Sequence, residues 1–135
     1  MLQNYEKQKL PLHVKKSLKI LDASFRKNFN HGRSGDIDRF KPTFELIRDS
    51  IADLPIKDCL VDVSRNRDRV DVMFVVGTEW LISVAKNVDL PQTDELHDQF
   101  MYSVRRNQEL VEINHRPHQE AVNVITNFIR GIETI

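Results

Sequence analysis

The most constraining feature of the sequence is an apolar stretch between Arg69 and Val88 that the pair Gly77-Thr78 divides in two. Glycine at the first central position of a two-residue loop suits a type II′ turn, so this pattern predicts a β-hairpin. Both faces of the hairpin are largely apolar. Because an antiparallel strand with one face in water alternates apolar with polar residues, we expect the hairpin to be covered on both sides.

The predicted turn fixes a register in which Val75 lies opposite Trp80 and Met73 lies opposite Ile82. One face of the hairpin then carries Met73, Val75, Trp80, Ile82 and Val84. Burial stabilises such side chains by about 1.5–3 kcal/mol each before entropy is subtracted, so leaving them in water is costly. Trp and Met are also enriched at protein interfaces. We predict a protein-binding surface here, with coverage by a helix of the same chain as the alternative.

A second hairpin is predicted around Asn107-Gln108, because residues on both sides of this pair alternate in polarity. Its expected apolar face consists of Phe100, Tyr102, Val104, Val111 and Ile113. Its expected solvent face consists of Met101, Ser103, Arg105, Leu110, Glu112 and Asn114.

Helices are expected on both sides of the strands. Between residues 12 and 29, apolar side chains recur at steps of three and four, which is typical of an amphipathic helix. A second helix is expected to begin at Pro42, because Pro suits a first helical turn, and to end near Leu54. Residues 59–64 alternate as a strand, and a last helix follows Pro117. The order α-α-β-β-β-β-β-α predicts the α+β class, with a five-stranded antiparallel meander sheet.

Length and composition predict one domain over residues 1–135, with residues 1–11 as a polar leader. The chain has 135 residues, of which 40% are hydrophobic and 30% are charged. Its single cysteine cannot form an internal disulfide, and no Asn-x-Ser/Thr sequon is present. No apolar run approaches the ~18 residues that span a bilayer. We therefore expect a cytoplasmic protein that does not bind membranes.

The charge distribution suggests a nucleic-acid interface as an alternative function. The 20 basic and 20 acidic residues cancel, which removes the bulk electrostatic argument for nucleic-acid binding. Residues 1–56 nevertheless carry eleven Lys/Arg and seven Asp/Glu, a net charge of 11 − 7 = +4. The candidate phosphate contacts are Lys15, Lys19 and Arg26 on the first helix, and Arg65, Arg67 and Arg69 in a hairpin loop. A solvated helix face and a charged turn explain the same residues.

A glycine-containing loop brings His31 close in sequence to Asp36 and Asp38. Loops on rigid scaffolds often carry catalytic groups, so a metal-dependent hydrolase or nuclease is a further alternative. Both aspartates equally suit the start of a helix, where carboxylates interact favourably with free N–H groups and the helix dipole. We interpret them as helix-start residues.

The remaining motifs do not predict a catalytic, metal or cofactor site. His115 and His118 have H-x-x-H spacing, and Glu112 or His97 would be needed to complete a metal site. A strand-to-helix junction with two ordinary histidines explains the spacing as well. Cys59 alternates with apolar residues and is expected to be a buried structural thiol. The sequence lacks nucleotide-binding glycine motifs, so no cofactor is expected.

The sequence thus favours a small non-catalytic protein-binding domain, adaptor-like or inhibitor-like, that forms a homodimer. A symmetric dimer is the commonest way to bury an apolar patch. Besides the hairpin patch, we predict that Asp94 and Glu95 contact a protein partner, since they lie in the acidic loop 87–98.

Overall fold

A computed structural model describes residues 10–29, 34–56 and 59–133. Its elements are α1 (Leu12–Phe29), α2 (Ser34–Ile51), β1 (Leu60–Asn66), β2 (Arg69–Val76), β3 (Trp80–Asn87), β4 (Gln99–Arg106), β5 (Glu109–Pro117) and α3 (His118–Glu133). The five strands form one antiparallel sheet in the order β1-β2-β3-β4-β5. The predicted α+β class, element order and meander are confirmed.

The helices lie against one face of the sheet, which we call the helix face. Buried and half-buried residues alternate along β2, with Val70, Val72, Phe74 and Val76 buried. Strand β4 alternates in the same way. This period of two arises because successive strand residues point to opposite faces. We call the other side of the sheet the open face.

Aromatic stacking joins the first two helices into one layer. Phe25 of α1 stacks on Phe44 of α2 with ring centroids 4.3 Å apart, and Phe29 stacks on Phe25 at 4.6 Å. Phe40 is fully buried against Phe29. Offset aromatic pairs of this kind stabilise a core beyond the area that they bury.

The second helix begins two turns earlier than its sequence pattern predicts. It begins at Ser34, so Pro42 lies inside the helix and the expected start at Pro42 is wrong. Proline in a helix interior removes one backbone hydrogen bond and normally disfavours the helix. Here the preceding turns are retained because Phe40 is fully buried and Ile37 packs against the core.

The register of the β2–β3 hairpin differs by one residue from the prediction. Val76 pairs with Trp80, so the loop has three residues, Gly77-Thr78-Glu79, rather than two. Gly77 has a φ of 66°, a conformation that favours glycine. The extra loop residue is Glu79, whose carbonyl accepts a hydrogen bond from the N–H of Asn107 at 2.9 Å. Its carboxylate pairs with Arg106 at 3.3 Å, so contacts with the next hairpin set the loop length.

This shift separates the five residues that the sequence places on one face. Trp80, Ile82 and Val84 lie on the helix face, whereas Met73 and Val75 lie on the open face. The prediction that they form one patch is wrong, because a one-residue slip moves a whole strand to the opposite face.

The β4–β5 hairpin has the predicted Asn107-Gln108 turn, with both residues at positive φ, but its faces differ from the prediction. A register shift next to Val104 pairs this residue with Glu112 and leaves Val111 as an extra residue. Beyond the bulge, Glu112 and Asn114 therefore lie on the helix face, and Ile113 lies on the open face. The bulge reverses the side-chain pattern of most of β5.

The contact between α1 and α2 includes a buried arginine that we use to test the packing. Arg48 is 6% exposed and binds Asp22 at 3.0 Å and Asp49 at 2.9 Å, with Glu45 at 3.7 Å. We predict that Arg48→Ala lowers the free energy of unfolding by about 3–5 kcal/mol, because it leaves buried carboxylates without their cation. Urea unfolding followed by circular dichroism measures this change.

A matched control is Arg39→Ala. Arg39 also binds two carboxylates, those of Asp68 and Asp89, but all three side chains are more than a third exposed. Its loss should lower the free energy of unfolding far less than the loss of Arg48, because solvent screens exposed ion pairs. Equal costs for the two substitutions would contradict the role given to the buried cluster.

Candidate docking face

The open face of the sheet carries eight apolar side chains, with polar residues such as Ser83, Ser103 and Arg105 between them. The residues that point away from the helices and are apolar are Leu60, Met73, Val75, Leu81, Ala85, Met101, Leu110 and Ile113. No helix of the described chain packs on them. The face therefore lacks a helical cover among residues 10–29, 34–56 and 59–133, and Ala85, beside Leu90 and Leu96 of the loop between β3 and β4, is its buried member.

The outer strands of the sheet show the exposure most clearly. Leu60 on β1 is 79% exposed, and Leu110, Val111 and Ile113 on β5 are 48–53% exposed. Four of the five exposed large hydrophobic residues in the described chain thus belong to two strands; Leu12 on α1 is the fifth. Leu110, Val111 and Ile113 are neighbours along one edge strand, whereas Leu60 lies at the opposite edge of the sheet. Clusters of exposed apolar side chains such as the one on β5 mark interaction surfaces.

Polar groups on the open face largely pair with one another. The hydroxyls of Ser83 and Ser103 share a hydrogen bond at its centre. Arg69 donates a hydrogen bond from Nη2 to Oδ2 of Asp71 at 3.1 Å. Groups paired in this way keep part of their hydrogen bonding if the face is buried, which lowers the desolvation cost of docking.

The acidic loop borders the open face and is held by a buried lysine. Lys86 is 8% exposed, and its Nζ donates to the carbonyls of Leu96 and Gln99 at 3.3 and 3.2 Å, and to that of His97. Burial lowers the pKa of Lys86, and the nearby carboxylates of Asp98 and Asp94 oppose this. The loop is therefore built around one cation.

The same loop places its two leucines beside the sheet. Leu90 and Leu96 share a cavity of about 110 Å³ with Ala85, Met101 and His115. These contacts bring the loop to the end of the open face where β3 ends and β4 begins.

The two loop residues predicted to bind a partner have different environments. Asp94 is half-buried, and its Oδ1 accepts the N–H of Leu96 at 2.8 Å, which stabilises the turn. Glu95 is exposed. Of the residues predicted to bind protein, the structure thus brings Met73 and Val75 together on the open face, with this loop at its border.

Ile82 and Val84 are fully buried under the helices, and Trp80 is half-buried beneath Arg106, whose guanidinium lies 5.2 Å from the indole centroid. Helices of the same chain therefore cover Ile82 and Val84, which is the alternative predicted from the sequence for this face.

The sequence prediction missed Leu60, Leu81 and Leu110 as apolar members of the open face. Their signal was present in the alternation of each strand, but it required the correct register.

The six candidate phosphate-binding residues do not form one surface. Lys19 and Arg26 are exposed on α1, and Lys15 is half-buried there. The hairpin arginines diverge, because Arg65 lies on the helix face and Arg69 on the open face. Arg65 lies 4.6 Å from the centroid of the Phe40 ring and donates to the carbonyl of Arg67 at 3.0 Å. Arg67 has a φ of 56° and is exposed at the turn.

The candidate hydrolase residues are described only in part. His31 lies outside the described residues, as does the side chain of Asp36. The start of α2 at Ser34 places the backbone of Asp36 in the first helical turn, as expected of a helix-start residue, and Asp38 is exposed one turn later. A hydrolase function stays a prediction.

The two histidines of the H-x-x-H motif have different surroundings. His115 is exposed on the open face. His118 stacks on Phe100 with ring centroids 4.2 Å apart, and its Nε2 accepts a hydrogen bond from Lys86 at 3.2 Å. Burial and the Lys86 ammonium lower the pKa of His118. Within the described part of the chain, no three His, Cys, Asp or Glu residues are placed to hold a metal ion.

Cys59 is half-buried rather than fully buried, with its Sγ 3.3 Å from the carbonyl oxygen of Pro55. It packs against the main core together with Val61, but it lies immediately before β1 rather than in the strand.

Comparison of the chain with protein families, with curated proteins and with solved structures finds no match. None of the described helices has the length and hydropathy needed to span a membrane. Fold and site together define an α+β domain with helices on one side of an antiparallel sheet and an apolar face on the other.

The depressed pKa of His118 predicts that stability depends on pH. Unfolding restores an ordinary pKa near 6.5, so below that pH the unfolded state binds more protons at this residue than the folded state. The free energy of unfolding should fall as the pH drops from 7 to 5, and His118→Asn should flatten this slope. Urea titrations at several pH values measure it.

His115→Asn is the matched control, because His115 is exposed and lies three residues away in the sequence. In this variant the free energy of unfolding should depend on pH as it does in the unmodified protein. If both substitutions change the slope equally, the contact between Lys86 and His118 is not its source.

Proposed function

We propose that the protein is a small non-catalytic binding domain, adaptor-like or inhibitor-like, that associates with itself and takes up a protein partner on its open face. The apolar open face carries this proposal, since no described helix packs on it. The lone Cys59 fits a reducing compartment, so we place this activity in the cytoplasm.

The size of the face fits this role. Five strands spaced by about 4.8 Å, with about eight residues each, define a surface of about 500 Å². The apolar side chains occupy part of this surface, and Asp62, Ser83 and Arg105 also point to it. The loop containing Glu95 adds a charged border to this face.

Substitutions on the open face test the proposal. We expect Met73→Lys combined with Val75→Lys to weaken partner capture at least tenfold and to leave self-association unchanged, because lysine ammonium groups resist burial in an apolar interface. Sedimentation velocity over a concentration series measures self-association. Capture from a lysate of the source cells by immobilised protein measures the partner.

The matched control is Leu12→Lys, which changes a residue that is 67% exposed on α1, away from the open face. It should leave both measurements unchanged, and circular dichroism should confirm that all variants are folded. Equal binding by the Met73/Val75 variant and the unmodified protein would reject the open face as the docking surface.

The outer surface of α1 supports nucleic-acid binding as a second candidate. Lys16, Lys19, Arg26 and Lys27 are exposed there, whereas Asp22, the only acidic residue of this helix, is 14% exposed and bound to Arg48. This function predicts capture that nuclease treatment abolishes and that weakens steeply with salt. Capture that resists both treatments favours a protein partner.

A further inference from the structure

The two edge strands of the sheet differ in whether other parts of the chain bind their outward-facing backbone groups. At the β1 edge, the N–H of Val63 donates to Ser24 Oγ at 2.9 Å, and Asn28 Nδ2 donates to the carbonyl of Val63 at 2.6 Å. Both side chains come from α1, which therefore satisfies outward-facing backbone groups of the edge strand. An edge covered in this way cannot readily pair with another chain.

The β5 edge has no such cover in the described chain. Its one hydrogen bond on the outer side is local: the N–H of His115 donates to Oδ1 of Asn114 at 2.9 Å. No other segment of residues 10–29, 34–56 and 59–133 hydrogen-bonds to this edge. The strand also carries Leu110, Val111 and Ile113 in exposed positions. A long, exposed, apolar edge strand favours pairing with a further strand.

The direction of the backbone shows which groups are available. The N–H of His115 points away from β4, since it binds a side chain at the edge. Alternate residues of an antiparallel strand direct their backbone groups to the same side, so Ile113 also points outward. Pro117 belongs to the same series, where its missing N–H removes no hydrogen bond to β4.

We propose that a second copy of this chain pairs with β5 through its own β5, antiparallel, about a two-fold axis at Asn114. The proposal rests on the self-association included in the proposed function and identifies its contact. In this arrangement Ile113 of each copy pairs with His115 of the other through backbone hydrogen bonds. The two sheets join into one continuous sheet, and both open faces stay available to partners.

Charge complementarity selects this register. Centring on Asn114 places Glu112 opposite Arg116 of the second copy, and the two-fold axis repeats the pair. Oε2 of Glu112 lacks a hydrogen-bond partner among the described residues, while the carboxylate also lies near Tyr102 and Arg116 of its own chain. Arg116 donates Nε to the hydroxyl of Tyr102 at 2.9 Å, which leaves its terminal nitrogens available. A shift of the axis by one residue in either direction removes both charge pairs.

An apolar groove beside the same edge adds buried area. The groove has a volume of about 480 Å³ and is lined by Trp80, Glu112, Arg116, Val124, Asn127, Phe128, Gly131 and Ile132. Val124, Phe128 and Ile132 follow each other at steps of four along α3, so they form one stripe facing β5. Strand pairing brings the second copy against this groove, and burial of the stripe supplies the apolar contact that strand pairing alone lacks.

Disulfide trapping tests the register directly. Asn114 of the two copies should form a non-hydrogen-bonded pair with Cα atoms about 4.5 Å apart, a distance that a disulfide spans. In a Cys59→Ser background, Asn114→Cys should form an interchain disulfide at least tenfold faster than Ser83→Cys. Ser83 lies at the centre of the open face and reports face-to-face stacking instead.

A charge exchange tests the ion pairs. Glu112→Arg should raise the dimer dissociation constant at least tenfold, because two arginines then face each other, and adding Arg116→Glu should restore it to within about threefold. Asp38→Arg is the matched control, since Asp38 is exposed on α2, which packs on β2 and β3 rather than on β5. Restoration by the double exchange shows that the single variant is not simply misfolded.

The outcomes separate this inference from the proposed function. A dimer that forms the Ser83→Cys disulfide faster, or that ignores the Glu112 exchange, overturns edge pairing but keeps self-association. A protein that stays monomeric at hundreds of micromolar overturns both edge pairing and self-association. Partner capture that depends on Met73 and Val75 still supports the open face in either case.

Discussion

The one-sided packing of the sheet determines the rest of this structure. Helix α2 packs on β2 and β3, and α3 packs on β4 and β5, so these two helices cover the helix face. Helix α1 contacts β1 and α2, and it satisfies the edge of β1 through Ser24 and Asn28. With α1 placed beside the sheet, no described helix is left for the open face. The side of the central hairpin that the helices leave open mixes apolar residues such as Met73 and Val75 with polar residues such as Asp71 and Ser83.

The buried cation Lys86 explains how a loop of eleven residues between β3 and β4 keeps a defined path beside that face. A buried ammonium without acceptors would be strongly destabilising, so the carbonyls of Leu96, His97 and Gln99 and the ring of His118 must stay in place around it. The loop between β3 and β4 thus keeps its conformation because its carbonyl groups solvate the Lys86 ammonium. Because His118 begins α3, the same contact joins the loop to the last helix.

Much of the fold could be predicted from local patterns, and the errors have a common origin. Element types, their order and the Asn107-Gln108 turn follow from periodicity and turn chemistry. The face on which each candidate residue lies depends on the strand register, and one additional residue in each hairpin changed this register. Glu79 joined the hairpin loop because Arg106 and Asn107 of the next hairpin bind it, and Val111 formed a bulge in β5. Contacts between hairpins are not visible in the sequence of either one, so the candidate surface was assigned to the wrong side of β3.

The contrast between the two sheet edges also limits how far self-association can extend. Strand pairing at an open edge produces fibrils when each added copy exposes a further open edge. Here pairing through β5 consumes the only edge of the described sheet that lacks cover, and each end of the joined sheet is a β1 strand whose Val63 is bound by Ser24 and Asn28. A two-fold contact of this kind is closed, because each copy uses the same surface once. By binding Val63, Ser24 and Asn28 of α1 therefore limit pairing to the β5 edge, so the assembly ends at two copies.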